Sequence, residues 1–277
     1  MAIKTKIEWT DHTFNPWIGC AKVSPGCANC YAEKSMPSRM FGVKWGHGQS
    51  RYLTSESTWN QVKVWDRSAA KAGQRRKLFC ASLADWLDDE VPIEWFCRLL
   101  GLIAETPNLD WQLLTKRPEN WQLRMEEAER FMNENPVKYV ESLEMTRKWM
   151  TWRAYPKNVW IGMTIENQAM CDRRLPILEK IPASIKFLSM EPLLGPVMLP
   201  IGYGSYRCDW IILSGESGPS SRGCNVKWIE SIIEQAECPV FVKQLGANPV
   251  GVEWDLNDKK GGDIEEFPVH LQLRQFP

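Results

Sequence analysis

Short apolar runs recur along the chain, each closing on polar residues, and most lead into a stretch with helical spacing. They are 13–19 (TFNPWIG), 77–82 (KLFCAS), 111–115 (WQLLT), 159–164 (VWIGMT), 186–190 (KFLSM), 210–214 (WIILS) and 240–243 (VFVK). Runs of this length, rich in Val, Ile, Leu and Phe, suit strands buried on both faces of a parallel sheet. Helices are predicted over 93–105, from just after Pro118, over 168–180 and over 226–237. The alternation predicts βαβ units. The fold class is therefore α/β, a partial (β/α)6-type barrel of parallel strands with helical insertions. An open doubly wound sheet is the other arrangement of the same pattern. One domain is predicted over 1–250, with 34–77 and 132–155 as insertions and 251–277 as a loose tail. The first insertion is placed over the barrel mouth. The second carries Arg147, Lys148, Trp149, Trp152 and Arg153 and reads as helical, with a basic, aromatic face.

Composition narrows the class only slightly. With 44% hydrophobic and 25% charged residues, the chain reads as an ordinary globular protein rather than a disordered one. Lys+Arg and Asp+Glu both number 34, so a whole-protein electrostatic pull on nucleic acid is not expected, while a local basic patch is compatible with the count. No apolar run is long enough to cross a membrane, and 1–8 lacks the apolar core of a signal peptide. A cytoplasmic protein is expected, so the nine cysteines are read as thiols, not disulfides. Fifteen tryptophans predict mostly core packing, with some left to stack on a flat ligand.

The densest chemistry lies in 14–33, FNPWIGCAKVSPGCANCYAE. Cys20, Cys27 and Cys30 stand at C-x6-C-x2-C, directly after the first predicted strand, where barrel enzymes build their sites. Thiolates are the usual protein ligands of a [4Fe–4S] cluster. Three of them leave one iron open to chelate S-adenosylmethionine and pass an electron to its sulfonium, giving a 5′-deoxyadenosyl radical. Gly19 and Gly26 let backbone amides approach such a group closely. The competing reading is a structural zinc site with His12 or His47 as fourth ligand. Cys80 and Cys97 read as core, and Cys208, Cys224 and Cys238 as a weaker candidate for a second cluster.

At these residues the chain resembles the radical S-adenosylmethionine superfamily. Asn15-Pro16-Trp17-x-Gly19-Cys20 and Cys27-x-x-Cys30-Tyr31-Ala32 are similar to the branch that contains spore photoproduct lyase. The superfamily's usual spacing is C-x3-C-x2-C, and this chain has three extra residues in the first interval. An aromatic residue often precedes the third cysteine there, where this chain has Asn29. Over nearly its whole length the chain also resembles a family of phage-encoded proteins, on Ile7-Glu8-Trp9-Thr10, 113–118 (LLTKRP), 189–192 (SMEP), Gly215-Glu216-Ser217-Gly218 and 241–246 (FVKQLG). The resemblance implies a partial barrel, an [4Fe–4S] cluster on Cys20, Cys27 and Cys30, S-adenosylmethionine, and an electron donor such as flavodoxin or ferredoxin.

Polar residues at strand ends supply the remaining candidates. The superfamily often has Gly-Gly-Glu after its second strand, against the amino group of S-adenosylmethionine. Ser82 and Asp85 stand there and are expected to do that work, with Lys116 or Arg117 on the cofactor carboxylate. Tyr31, Thr164 and Glu166 complete the cofactor-binding set, and Glu191, Glu216 and Lys243 are the catalytic candidates. Each has a plainer reading as a helix cap or an ion pair. Gly215-Glu216-Ser217-Gly218-Pro219 is not a hydrolase elbow, since Pro replaces the second Gly of G-x-S-x-G. It reads better as an anion-binding nest.

The function expected is hydrogen abstraction by a radical enzyme, with a modified pyrimidine in phage DNA, or a modified nucleotide, as substrate, in the host cytoplasm. A peptide or small metabolite is the second substrate class. A zinc-stabilised nucleic-acid-binding protein without catalysis is the third reading. The oligomeric state is not legible.

Overall fold

The computed structural model describes residues 5–200, 206–254 and 256–277. Residues 1–4 of the N-terminal stretch read for a signal lie outside them. Seven strands form one sheet in chain order: β1 (His12–Thr13), β2 (Arg76–Cys80), β3 (Leu109–Thr115), β4 (Val159–Thr164), β5 (Ile185–Met190), β6 (Trp210–Ser214) and β7 (Val240–Gln244). Sequential order in a parallel sheet requires a crossover after each strand. Among the described residues, six helices of ten residues or more lie in those crossovers: α1 (Glu56–Ala72), α2 (Ile93–Glu105), α3 (Trp121–Glu134), α4 (Val140–Met150), α5 (Gln168–Glu179) and α6 (Val226–Gln235). The α/β class is thus the one the apolar runs predict, and six of the seven runs supply strands of this sheet, while 13–19 overlaps β1 only at Thr13. The chain divides into two compact units.

The first unit comprises Met1–Val23, Ala32–Ile161 and Ile181–Ser184. Its strands register with His12 beside Leu78 and Leu78 beside Trp111. Segment 34–77, read as an insertion, supplies the crossover helix α1 between the paired strands β1 and β2. Its Trp59 and Trp65 are buried, against Phe14 and His12 respectively. Gly73 ends α1 in the left-handed region at φ 61°, a conformation glycine adopts without a Cβ penalty. Segment 132–155 is helical as predicted, but its face is not a free aromatic platform. Trp149 is buried and donates to Pro182 O, while Arg147 pairs with Glu129 and Lys148 with Glu144. Only Trp152 of that group is a large exposed aromatic. Ten of the fifteen tryptophans of the chain are buried, so indoles are spent mainly on core.

The second unit comprises Ser24–Tyr31, Gly162–Lys180 and Ile185–Pro277. Here β5, β6 and β7 register with Leu188 beside Ile211 and Ile211 beside Val240. Gly162 has no substitute, because a Cβ there would sit 2.1 Å from the Phe187 ring. The C-terminal stretch is not a loose tail. Val242 N donates to Leu273 O and Gln275 N to Val240 O, so 273–275 runs along β7, and Phe276 packs on Trp210 and Phe241. Pairing of this kind covers a sheet edge that would otherwise expose unpaired backbone groups.

Candidate functional site

In the first unit, the segment that follows β1 is held from two directions. Trp17–Ile18 pairs antiparallel with Tyr52–Leu53, and Gly19 N donates to Leu83 O. Gly19 has φ 112°, and a Cβ there would press on Val43 and Arg51 at 3.1 and 3.2 Å, so only glycine lets the chain turn into Cys20. Arg51 is fully buried on Asp88, with Nε 2.8 Å from Oδ2, and also donates to Gly46 O, while Gly46 N bonds Cys20 O. Sequence reading did not single out Arg51 or Asp88.

Cys20, Arg117 and Asp85 form one network. Arg117 Nη1 lies 3.1 Å from Cys20 Sγ and 3.2 Å from Asp85 Oδ2, and Nη2 donates to Ala21 O at 2.7 Å. Burial alone would weaken the guanidinium's charge, yet Asp85 and Cys20 beside it raise its pKa above the ordinary arginine value. Burial pushes the Cys20 thiol up to about 12, against the pull of Arg117. Asp85 Oδ1 accepts from Thr115 Oγ1 and Leu87 N, and Oδ2 from Lys116 N as well as Arg117. Four donors fill the lone-pair sites of a carboxylate. Asp85 therefore fixes the β3 end and aims Arg117, and has no acceptor site left for the cofactor ammonium it was expected to bind. Ser82 exchanges hydrogen bonds with the Asn15 side chain, which also accepts from Leu83 N.

In the second unit, the turn bearing Cys27 and Cys30 is tied to strand ends. A 3-10 turn, Pro25–Cys27, opens it. Gly26 N donates to Glu166 Oε1 at 3.1 Å, and Glu166 Oε2 accepts from Arg174 Nη1 at 2.7 Å. Glu166 and Arg174 are both buried, and Arg174 also donates to Thr164 O. Asn29 Nδ2 donates to Glu216 Oε2 at 3.0 Å and to Ser220 O at 2.8 Å. Arg222 grips Glu216 through Nε and Nη2 and reaches Pro25 O with Nη1. Burial would raise the Glu216 carboxyl, but the bonds from Arg222 and Asn29 hold it below the usual carboxylate range. Tyr31 is exposed at the end of this turn.

The remaining catalytic candidates meet each other. Lys243 Nζ lies 2.5 Å from Glu191 Oε2, and Ser189 Oγ donates to Glu191 Oε1. The Gly-Glu-Ser-Gly and Phe-Val-Lys-Gln-Leu-Gly words also come together. Gly215 N donates to Gln244 O, and a Cβ on Gly215 would lie 2.1 Å from Leu245 O. That glycine serves close backbone approach, not the anion nest expected of it. At the opposite strand ends, Cys208 and Cys238 have Sγ atoms 3.6 Å apart, while Cys224 is buried.

All nine cysteines are free thiols. Among the described residues, no three His, Cys, Asp or Glu side chains converge as metal ligands. The donor chemistry of the cysteine loop nonetheless fits an iron–sulfur cluster: one segment carries three thiols, and a guanidinium donates to one sulfur, a contact that favours its thiolate form. The histidines proposed for zinc are engaged elsewhere, His47 with Glu90 and His12 stacked on Trp65. Sequence reading also missed Arg174 and Arg222. The one signal for Arg222 is its place six residues after Glu216, and Arg174 gives none beyond lying on the buried face of α5.

The chain belongs to the family described as "Protein of unknown function (DUF5131)", which matches residues 4–266. No curated protein matches its sequence. Among solved structures it is similar to a cysteine-to-serine mutant of spore photoproduct lyase, at 10% identity and a TM-score of 0.40 over 85% of this chain and 54% of that one. A double mutant of the same lyase with bound AdoMet and dinucleoside spore photoproduct matches at 9% identity and a TM-score of 0.41, over 82% and 50%. The chain thus spans about half the length of these structures. No helix among the described residues is long and apolar enough to cross a membrane.

Proposed function

We propose that the chain is a radical S-adenosylmethionine enzyme whose [4Fe–4S] cluster is held by Cys20, Cys27 and Cys30. The observation that carries this reading is the bond from Arg117 to Cys20 Sγ in a three-thiol loop that follows the first strand of a parallel sheet and the short antiparallel strand Trp17–Ile18. When bound, the cluster and S-adenosylmethionine would together supply radical chemistry that abstracts hydrogen from a substrate. Arg117 steadies the Cys20 sulfur in its charged form, and Asp85 keeps the guanidinium aimed. Lys116, Ser82, Thr164 and Tyr31 remain the cofactor-binding set, with Lys116 on the cofactor carboxylate. Lys243 and Glu191, held together as an ion pair, remain the catalytic candidates. Electrons come from a flavodoxin- or ferredoxin-type donor in the host cytoplasm.

The substrate in this reading is a pyrimidine of phage DNA. Its support is the sequence likeness to the spore photoproduct lyase branch and an exposed stretch in the first unit. Lys34, Arg39 and Lys44 are exposed there beside the stacked pair Phe41 and Tyr52, with no acidic residue between Glu33 and Glu56. Stacking rings among cations suit single-stranded nucleic acid. Incubation of reconstituted protein with S-adenosylmethionine and dithionite should yield 5′-deoxyadenosine, and Cys27→Ala should yield none. Equal yields from the two proteins would reject the reading. Single-stranded DNA should bind with strong salt dependence that K34E/R39E weakens. Binding indifferent to both would turn the substrate toward a peptide or small metabolite.

A further inference from the structure

The turn 24–31 has no strand or α-helix of its own to hold it. Its first interval from Cys20 is long, and a longer loop carries more conformational freedom that must be restrained. We propose that Glu166 and Glu216 are positioning residues, a pair of carboxylates that fix the Cys27-x-x-Cys30 turn so that its two thiols are presented together. This rests on the cluster assignment above and departs from the roles of cofactor ligand and catalytic acid that the strand-end positions suggested.

The geometry supports anchoring over direct chemistry. Both oxygens of each carboxylate are occupied. Glu166 spends one on Gly26 N and one on Arg174, and Glu216 spends one on Arg222 alone and shares the other between Arg222 and Asn29. The bonds fall on either side of Cys27, at Gly26 and at Asn29, and touch neither sulfur. Arg222 closes the arrangement by holding Pro25 O and Glu216 at once. Gly26 suits the same contact, since a Cβ there would lie 3.0 Å from Glu166 Oε1 and the pinned carboxylate would have to give way. Asn29 occupies its place because only a short side-chain donor satisfies Glu216 and Ser220 O together.

The test reads Cys27 and Cys30 directly in metal-free, reduced protein. N-ethylmaleimide labelling is followed residue by residue by peptide mass spectrometry in wild type, Glu216→Gln and Asn29→Ala. Glu166→Gln strands a buried arginine and is the less safe variant, so the first two decide. Loss of a charge-assisted bond should raise labelling of Cys27 and Cys30 about tenfold through local opening. Cys208 and Cys238, half-exposed in the same unit, should keep their rates. Unchanged labelling of Cys27 and Cys30 overturns the proposal, and so does an equal rise at Cys208 and Cys238. Iron content after reconstitution is measured in parallel. Wild type that takes up no iron would remove the cluster reading, while the labelling still decides whether the two carboxylates anchor the turn.

Discussion

At the residue scale, close approach separates glycines that matter from those that do not. Gly215 faces Leu245 O with room for no further atom, whereas Gly101 in α2 meets nothing within 4 Å. Gly215→Ala should therefore lower unfolding free energy by roughly 3 kcal/mol or more, since backbone cannot yield as a flexible side chain does. Gly101→Ala should be neutral or stabilise by up to ~1 kcal/mol through the unfolded chain. Urea titration of the two variants distinguishes them, and equal losses would contradict the packing described. Arg117→Lys keeps a cation but loses the fork that meets Cys20, Asp85 and Ala21 O together. It should bind less iron on reconstitution than wild type, and full iron content would remove the importance given to that fork.

At the element scale, the strands were the most legible part of the chain. Residues 159–164 and 210–214 were read with the bounds they have, because buried parallel strands are apolar at every position and end abruptly. Helix α2 was legible for a related reason: Phe96, Leu99, Leu100 and Ile103 trace one buried stripe. The run 13–19 was read as one strand, but Pro16 cannot donate to a ladder, and the chain forms His12–Thr13 and Trp17–Ile18 in different sheets. The C-terminal stretch was missed because its pairing along β7 uses backbone groups, which leave no hydropathy period. Deleting 263–277 should bare that edge and the Trp210–Phe241 face, and light scattering should show association of the shortened chain. A monodisperse product would refute the edge-covering role.

The Cys27-x-x-Cys30 turn also links charge to stability. The Glu216 carboxyl titrates below its ordinary range in the folded protein, so its contribution is present at neutral pH. That contribution is lost as pH falls through the folded value, below the unfolded one. Glu216→Gln should be less stable than wild type at neutral pH, with the gap narrowing on acidification. Thermal melts at several pH values check this, and a gap that widens toward acid would reverse the assignment. Asn29 is uncharged and distant in sequence, and Arg222, six residues on, lies in a loop with no period that would aim it at Glu216, which is why the pairing was illegible while Glu216 itself was flagged.

At the scale of the whole molecule, the cysteine spacing singled out the candidate cluster ligands, and the strand ends named several of the polar residues that pair with one another. What the sequence could not convey was who binds whom. Asp85 turned out to serve Arg117, Glu191 to serve Lys243, and Glu166 to serve Gly26. Such pairings depend on three-dimensional register, which residue type and strand position do not encode.

The central claim is the cluster itself. Protein purified and reconstituted without oxygen is reduced, and its iron content and EPR spectrum are recorded with and without S-adenosylmethionine. The account predicts about four irons per chain, absent from a Cys20/Cys27/Cys30→Ala triple variant, and a spectrum that changes when the cofactor is added. Stoichiometric zinc without iron, or a cluster whose spectrum ignores S-adenosylmethionine, would contradict it.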